Sequence, residues 1–173
     1  MGLPMGNSLS ALLADLVMND FIVKNKFPYN MLKRYVDDIV QISELGKDQI
    51  NALVAYLNKI DKNNIQFTSE FENESKLPFL DVLIKVDKEN HKFKTTWYRK
   101  PTAAKSLLDF RSDHNETIKQ NIASNMPNKI MIINKNETNK SDITALCQLL
   151  LNSSYPNSTT KTIPSSPDNM EVL

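Results

Sequence analysis

Apolar residues recur at helical spacing in two stretches of the first sixty residues. The first stretch follows Asn7 and Ser8, either of which can cap a helix by accepting a hydrogen bond from a backbone amide of the first turn. Pro28 ends this region, and Gly46 precedes the second stretch. The spacing predicts one helix that carries Leu9, Leu12, Leu13, Leu16, Val17 and Phe21 and another that carries Ile50, Leu53, Val54, Leu57 and Ile60.

Three other regions have the composition or the alternation of β-strands. Residues 32–42 are rich in β-formers and are interrupted at their centre by two aspartates, which predicts a strand, a tight turn and a second strand. Residues 65–71 alternate loosely and predict a single strand. Residues 80–86 alternate strictly, and a polar turn connects them to residues 92–100, so these two runs predict a β-hairpin that Pro101 closes.

The C-terminal third has a weaker helical pattern. We predict a helix from about His114 that Pro127 stops, and a last helix that begins at a Ser141 cap. From Asn152 the chain is rich in Ser, Thr, Pro and Asn, which leaves little to bury and predicts disorder. Helices and strands that are mixed around a central antiparallel hairpin favour an α+β fold over a doubly wound parallel sheet.

Composition and charge exclude several classes of protein. The 173 residues fit one domain, or one domain and a short tail, and the formal net charge of +1 gives no global sign of a nucleic-acid partner. The single cysteine, Cys147, excludes an internal disulfide, and no apolar run is long enough to cross a bilayer. With no secretory signal at its start, we expect an intracellular protein, nuclear or cytoplasmic rather than secreted, without membrane contact. The sequence identifies no obligate protein partner.

The adjacent aspartates Asp37 and Asp38 are the clearest candidates for chemistry. The flanking strands would hold the turn rigidly and present both carboxylates at a fixed place. Mg²⁺ prefers oxygen ligands and keeps several waters, so one or two carboxylates together with substrate phosphates suffice to bind it. In a two-metal site one ion activates the attacking hydroxyl and the other stabilises the leaving oxygen, with the ions about 3.5–4 Å apart. Such a site needs a second protein anchor from elsewhere in the fold.

The composition of the turn itself favours a functional site. Aspartate is common in turns, so an Asp-Asp dipeptide alone is ordinary. A bare two-residue turn, however, favours Asn-Gly or Asp-Gly, because compact turns need positive φ. Val36 is therefore a poor residue for turn formation, and poor local choices are typical of functional sites. Arg34, Tyr35 and the apolar flanks strengthen this interpretation.

The segment from Arg34 to Ile39, Arg-Tyr-Val-Asp-Asp-Ile, resembles the catalytic hairpin of reverse transcriptases. Residues 2–10 resemble the loop and helix start that precede this hairpin in the same palm. Further segments occur in the order that is typical of Penelope-like retroelements, and the similarity covers about residues 1–156. These segments are Ile65–Glu70, Leu77–Val82, Tyr98–Thr102, Leu107–His114 and Asn152–Pro156.

The resemblance implies a role for each matched residue of the turn and the N-terminal loop. Asp37 would be the principal ligand of the Mg²⁺ site, and Asp38 a supporting carboxylate. Tyr35 would pack beneath the turn or touch the primer end. The loop would lie near the incoming nucleotide and the template, where glycine permits close backbone approach, unless it is simply a helix-entry turn. Its candidate residues are Gly2, Leu3, Pro4 and Gly6.

A basic stretch follows in the predicted second hairpin. The resemblance implies that five residues of this stretch grip the primer strand: Lys94, Trp97, Tyr98, Arg99 and Lys100. Residues 92–111 contain six cationic side chains against one acid, Asp109, a local net charge of +5. Basic side chains neutralise phosphates and aromatic rings stack on bases, so this pattern fits the contact with nucleic acid that the resemblance favours. In the alternative interpretation Trp97 belongs to the core and the lysines line a solvated strand face.

The resemblance also implies a division of the chain and a set of partners. Residues 1–101 would be part of a reverse-transcriptase palm, residues 102–156 a helical thumb and residues 157–173 a disordered tail. The two predicted thumb helices also resemble a helix-turn-helix pair of animal elements of this kind, although nothing in the sequence marks a specific DNA reader. The implied activity is that of an RNA-directed DNA polymerase, a nucleotidyltransferase, with an RNA template, a DNA primer and deoxynucleotides as partners.

Reverse transcriptases need another aspartate on an upstream palm strand and fingers that hold the template, and in the family both precede the matched region. The chain is therefore expected to be a fragment, truncated at its N-terminus and inactive by itself. Two alternatives remain open. One is a non-catalytic nucleic-acid-binding remnant that uses residues 92–111. The other is a translated relic with no stable fold, in which Leu12, Leu16 and Phe21 lose their partners.

Overall fold

The computed structural model describes residues 7–25, 28–135 and 139–161, and its fold is mixed α+β, as the sequence predicts. The chain forms two compact units, Met1–Phe71 and Glu72–Leu173. The palm boundary that was expected after residue 101 lies inside the second unit.

The first unit contains two helices and a two-stranded antiparallel hairpin. Its elements are α1 (Ser8–Lys24), β1 (Met31–Tyr35), β2 (Asp38–Ile42) and α2 (Lys47–Ile60). Asn7 caps α1, and its side-chain oxygen accepts from the Leu9 amide at 2.9 Å. The hairpin closes on the Tyr35–Asp38 pair, so only two residues form its loop. Both predicted helices and the predicted hairpin are confirmed.

The strand that was predicted at residues 65–71 is wrong, because no strand forms there. The Asn58 side chain satisfies the backbone of Phe67 instead: it accepts from the Phe67 amide at 2.7 Å and donates to the Phe67 carbonyl at 2.9 Å. The Phe67 ring packs against Phe21 of α1, with 5.5 Å between ring centroids. The side chain of Phe67 therefore packs, although the backbone of this stretch pairs with no strand.

The second unit combines a three-stranded antiparallel sheet with helices. Its elements are β3 (Lys76–Phe79), β4 (Val82–Asp87), β5 (Lys92–Trp97), α3 (Glu116–Ile133), α4 (Lys140–Asn152) and α5 (Asn157–Lys161). The strand order is β3-β4-β5. The predicted β4–β5 hairpin is confirmed, whereas the sequence pattern did not predict β3.

Helix α3 continues through Pro127, so the predicted stop at this residue is wrong. Proline cannot donate to the carbonyl one turn earlier, which normally ends a helix. Here the next turn carries Ile130 and Met131, which are both buried. Their burial offsets the missing hydrogen bond, and the helix extends to Ile133.

The end of the described chain also differs from the prediction. Asn139, rather than Ser141, caps α4, because its side chain accepts from the Ser141 amide at 3.1 Å. The disorder that was expected from Asn152 is wrong for residues 153–161, where Ser153 and Tyr155 are buried and α5 forms. Residues 162–173 of the expected tail lie outside the described residues.

The core of the second unit draws on residues from both sides of residue 101. Its centre consists of Ile130, Leu146, Leu150 and Tyr155. Trp97 of β5 packs against this cluster, as do Leu107 and Phe110 of the following loop. The Thr95 hydroxyl also donates to the Ile133 carbonyl of α3. The sheet therefore folds with the C-terminal helices.

Candidate functional site

The loop of the first hairpin consists of Val36 and Asp37 alone. Val36 has a φ of 55°, and Asp37 is not among the residues of positive φ. Positive φ at the first loop residue only is the pattern of a type II′ turn, which favours glycine at that position. A β-branched residue in this region is strained by about 1–3 kcal/mol. The strain thus lies at the turn that the sequence marks as functional.

Both candidate carboxylates lie at this turn. Asp37 is the second loop residue and Asp38 begins β2, and both are exposed. Tyr35, whose side chain is 62% exposed, is the register partner of Asp38. Of the two roles expected for Tyr35, this exposure favours contact with a ligand over packing beneath the turn.

The turn fits a partial Mg²⁺ site. Mg²⁺ binds through one or two carboxylates, waters and substrate phosphates, so two adjacent exposed aspartates are a suitable donor set. No group of three or more His, Cys, Asp or Glu side chains that could hold a metal occurs within residues 7–25, 28–135 and 139–161. Within the described residues, the two carboxylates of the turn therefore stand without a third candidate ligand grouped with them.

Arg34 connects the turn to helix α1. Its Nη1 donates to the Val36 carbonyl oxygen at 2.7 Å. Its Nη2 donates to Asn19 Oδ1 at 2.9 Å and forms an ion pair with Asp15. The sequence singles out Arg34 only as a neighbour of the turn. Nothing in the sequence pattern couples it to Asp15, which lies 19 positions earlier, so this contact needs the structure.

The N-terminal loop stays a prediction. Its candidate residues, Gly2, Leu3, Pro4 and Gly6, lie outside the described residues.

The residues expected to grip a primer are divided between surface and core. Lys94 of β5 is exposed and pairs with Asp87 at 2.9 Å. The Asn90 side chain donates to the Asp87 carboxylate and is the main cause of the lowered pKa of that group. The hydrogen bond from Lys94 lowers this pKa further. Lys94 thus helps to order the β4–β5 turn, which reduces the charge it can offer to phosphate.

Trp97 and Arg99 have structural contacts. Trp97 packs against the core of the second unit, in agreement with the alternative interpretation of this residue. The Arg99 guanidinium lies 5.8 Å from the Trp97 ring centroid and donates to the Ala104 carbonyl oxygen. Tyr98 is half-buried, and Lys100 is exposed. Trp97 is partly buried, so part of its ring is covered by the core and part remains accessible.

The accessible positive charge of the basic stretch is lower than its composition suggests. Arg111 pairs with Asp109 at 3.2 Å, and this contact raises the pKa of Arg111 and lowers that of Asp109. The exposed lysines at 92, 100 and 105 remain as candidates for phosphate contact.

Comparison with known proteins does not identify the chain: no protein-family model, curated protein or solved structure matches it. Within the described part of the chain, no helix combines the length and the apolar character that crossing a membrane requires.

Proposed function

We propose that this chain is part of the polymerase of a retroelement, an RNA-directed DNA polymerase similar to those of Penelope-like elements. The observation that carries the proposal is the two-residue hairpin loop, which presents Asp37 and Asp38 in exposed positions beside a strained Val36. A strained residue next to exposed carboxylates is typical of a site selected for chemistry rather than for turn stability.

In the proposed site Asp37 is the principal metal ligand and Asp38 the supporting carboxylate. Bound Mg²⁺ would activate a primer 3′-hydroxyl and stabilise the charge on the substrate phosphates. The paired strands hold both aspartates at a fixed place, and Tyr35 lies beside them for contact with the primer end. In this proposal α1, the first hairpin and α2 belong to the palm, and α3 and α4 to the thumb.

The chain by itself is expected to bind a divalent cation weakly and to extend no primer. The described residues supply a pair of carboxylates without a third potential metal ligand grouped with them. Robust Mg²⁺-dependent extension of a DNA primer on an RNA template by the purified 173-residue chain would contradict this expectation.

Paramagnetic broadening by Mn²⁺ tests the metal site. In the ¹⁵N-labelled chain, Mn²⁺ should broaden the amide signals of residues 36–38 first, and Asp37→Asn should remove this selectivity. Asp48→Asn is the matched control, because Asp48 is an exposed aspartate of α2 in the same unit. Broadening that is equal at Asp37 and Asp48, or that survives Asp37→Asn, would contradict the proposal that Asp37 binds the metal.

A graft tests the catalytic role. Residues 31–42 are placed in an active reverse transcriptase in exchange for its own catalytic hairpin, with and without Asp37→Asn. The unaltered graft should retain primer extension and the Asp37→Asn graft should lose it, since only the carboxylate differs. A pair of grafts with equal activity would contradict the proposed role of Asp37.

The second candidate is a non-catalytic nucleic-acid-binding remnant, which the exposed lysines at 92, 100 and 105 favour. It predicts binding to an RNA–DNA duplex that weakens steeply with salt and survives Asp37→Asn. Charge reversal by Lys100→Glu with Lys105→Glu should abolish this binding, whereas the metal site of the first unit should be unaffected.

A further inference from the structure

The Arg34 side chain spans the space between the hairpin turn and helix α1. It is 11% exposed and lies one residue before Tyr35 at the end of β1. One terminal nitrogen donates to the Val36 carbonyl, and the other contacts both Asp15 and Asn19 of α1. A planar guanidinium can make these contacts at the same time because its donors form a fixed fork.

The contact with the Val36 carbonyl constrains the peptide bond between Val36 and Asp37. That carbonyl belongs to the peptide plane from which the Asp37 backbone begins. Val36 is held at a φ of 55°, and a strained conformation persists only where its surroundings over-determine it. The hydrogen bond from Arg34 at 2.7 Å supplies such a constraint.

Helix α1 provides the fixed end of this connection. Asp15 and Asn19 lie one helical turn apart, and the Asn19 amide donates to Asp15 Oδ2 at 3.4 Å. The helix is 17 residues long and capped at its start by Asn7, so these two residues lie well within it. Arg34 therefore links the turn to the interior of a helix and not to a loose segment.

The ion pair also changes the electrostatics of the turn. Arg34 is three residues from Asp37 in the chain, and an uncompensated guanidinium there would repel a divalent cation. Asp15 compensates this charge at the side of the guanidinium that faces α1. Arg34 is largely buried but Asp15 is 51% exposed, so solvent screens the pair in part, and geometry and charge compensation are the properties that explain its presence.

We infer that Asp15, Asn19 and Arg34 form a clamp that fixes the Val36–Asp37 peptide and thereby the position of the Asp37 carboxylate. They are positioning residues, and their importance for catalysis rests on the proposed function. The clamp itself is a property of the fold that is measurable without a metal.

The test uses the full ¹⁵N-labelled chain and two readouts. The first is the order parameter of the amides of residues 36–38 without metal, and the second is the Mn²⁺ concentration that half-broadens them. Arg34→Ala and Asp15→Ala should lower the order parameters and raise the half-broadening concentration by about 10-fold, the lower end of the effect of a ligand-orienting residue. Asp15→Glu should restore most of the loss, because it keeps the carboxylate.

Asp20→Ala is the matched control. Asp20 lies on the same helix and pairs with Lys24 at 2.6 Å, with both side chains largely exposed, so its removal deletes one acid and one ion pair of α1 without touching the clamp. It should leave both readouts unchanged. If Arg34→Ala unfolds the chain, Arg34→Lys takes its place, since lysine keeps the charge but lacks the fork.

Order parameters at residues 36–38 that are the same in the wild type and in folded Arg34 and Asp15 variants would overturn the clamp. A separate result concerns the proposed function. If Mn²⁺ does not broaden residues 36–38 selectively in the wild type, the metal site fails, while the order parameters still decide whether the clamp exists.

Discussion

At the scale of single residues, Val36 adopts a backbone conformation that its side chain disfavours. Its φ of 55° suits glycine, and its side chain is largely exposed, so packing explains neither its presence nor its conformation. The sequence alone marks it as a poor turn residue, and the structure shows the reason, because the register leaves only two residues for the loop. Arg34 is the neighbour that holds the strained peptide.

Val36→Gly should stabilise the first unit. Relief of the positive-φ strain contributes about 1–3 kcal/mol, and the greater flexibility of unfolded glycine removes about 0.5–1 kcal/mol, so the net gain is about 1 kcal/mol. Val36→Ala serves as the control, because alanine keeps the steric problem and should give no comparable gain. Urea unfolding monitored at residues of the first unit measures both. A destabilised Val36→Gly variant would show that the valine side chain makes a contribution that outweighs the strain.

At the scale of elements, hydrophobic periodicity predicted the helices and hairpins whose formation depends on local sequence. Both hairpins and the first two helices follow from spacing and turn residues. Two of the failures, at Pro127 and at residues 65–71, lie where tertiary contacts decide. Asn58 bonds the Phe67 backbone in place of a sheet partner, and no periodicity of residues 65–71 could reveal an acceptor that lies in α2.

Pro127→Ala should stabilise the second unit by about 1 kcal/mol. Alanine is favoured over proline inside a helix by about 3 kcal/mol. The loss of two buried ring carbons costs about 1.6 kcal/mol, since Pro127 is buried, and so the restored helix hydrogen bond prevails. The midpoint of urea unfolding should rise without a change in its slope. Pro101→Ala, at an exposed position outside the helices, should have little effect. A lower midpoint for Pro127→Ala would mean that packing of the ring dominates.

At the scale of the whole molecule, the sequence predicted the α+β class and the candidate turn but not the division into units. Trp97 illustrates the ambiguity, because a basic strand that ends in tryptophan fits both a nucleic-acid surface and a core edge. The structure places this ring against the helical core, which joins β5 to α3 and α4. The Asp15–Arg34 contact was likewise beyond prediction, since only folding brings the two residues together.

Helix α1 has apolar residues on more than one face, a property usually found in fully buried helices. Phe21 is buried, and Ala14, Met18 and Ile22 on the same side are partly buried. The other apolar side chains are exposed: Leu9, Leu12, Leu13, Leu16, Val17 and Val23. Leu12 and Leu16 thus lie at the surface, whereas Phe21 packs against Phe67.

This exposed surface should make the chain associate as its concentration rises, because contiguous apolar patches drive association. Leu12→Gln with Leu16→Gln should reduce that association in sedimentation velocity while leaving the urea midpoint nearly unchanged, since glutamine forms helix well and both leucines are 55% exposed. Phe21→Ala in the same helix is the contrast: it removes a buried ring that contacts Phe67 and should cost about 3 kcal/mol. A double glutamine variant that is as destabilised as Phe21→Ala would show that the two leucines pack as core residues. A wild-type chain that remains monomeric at every concentration would show that this surface does not drive association.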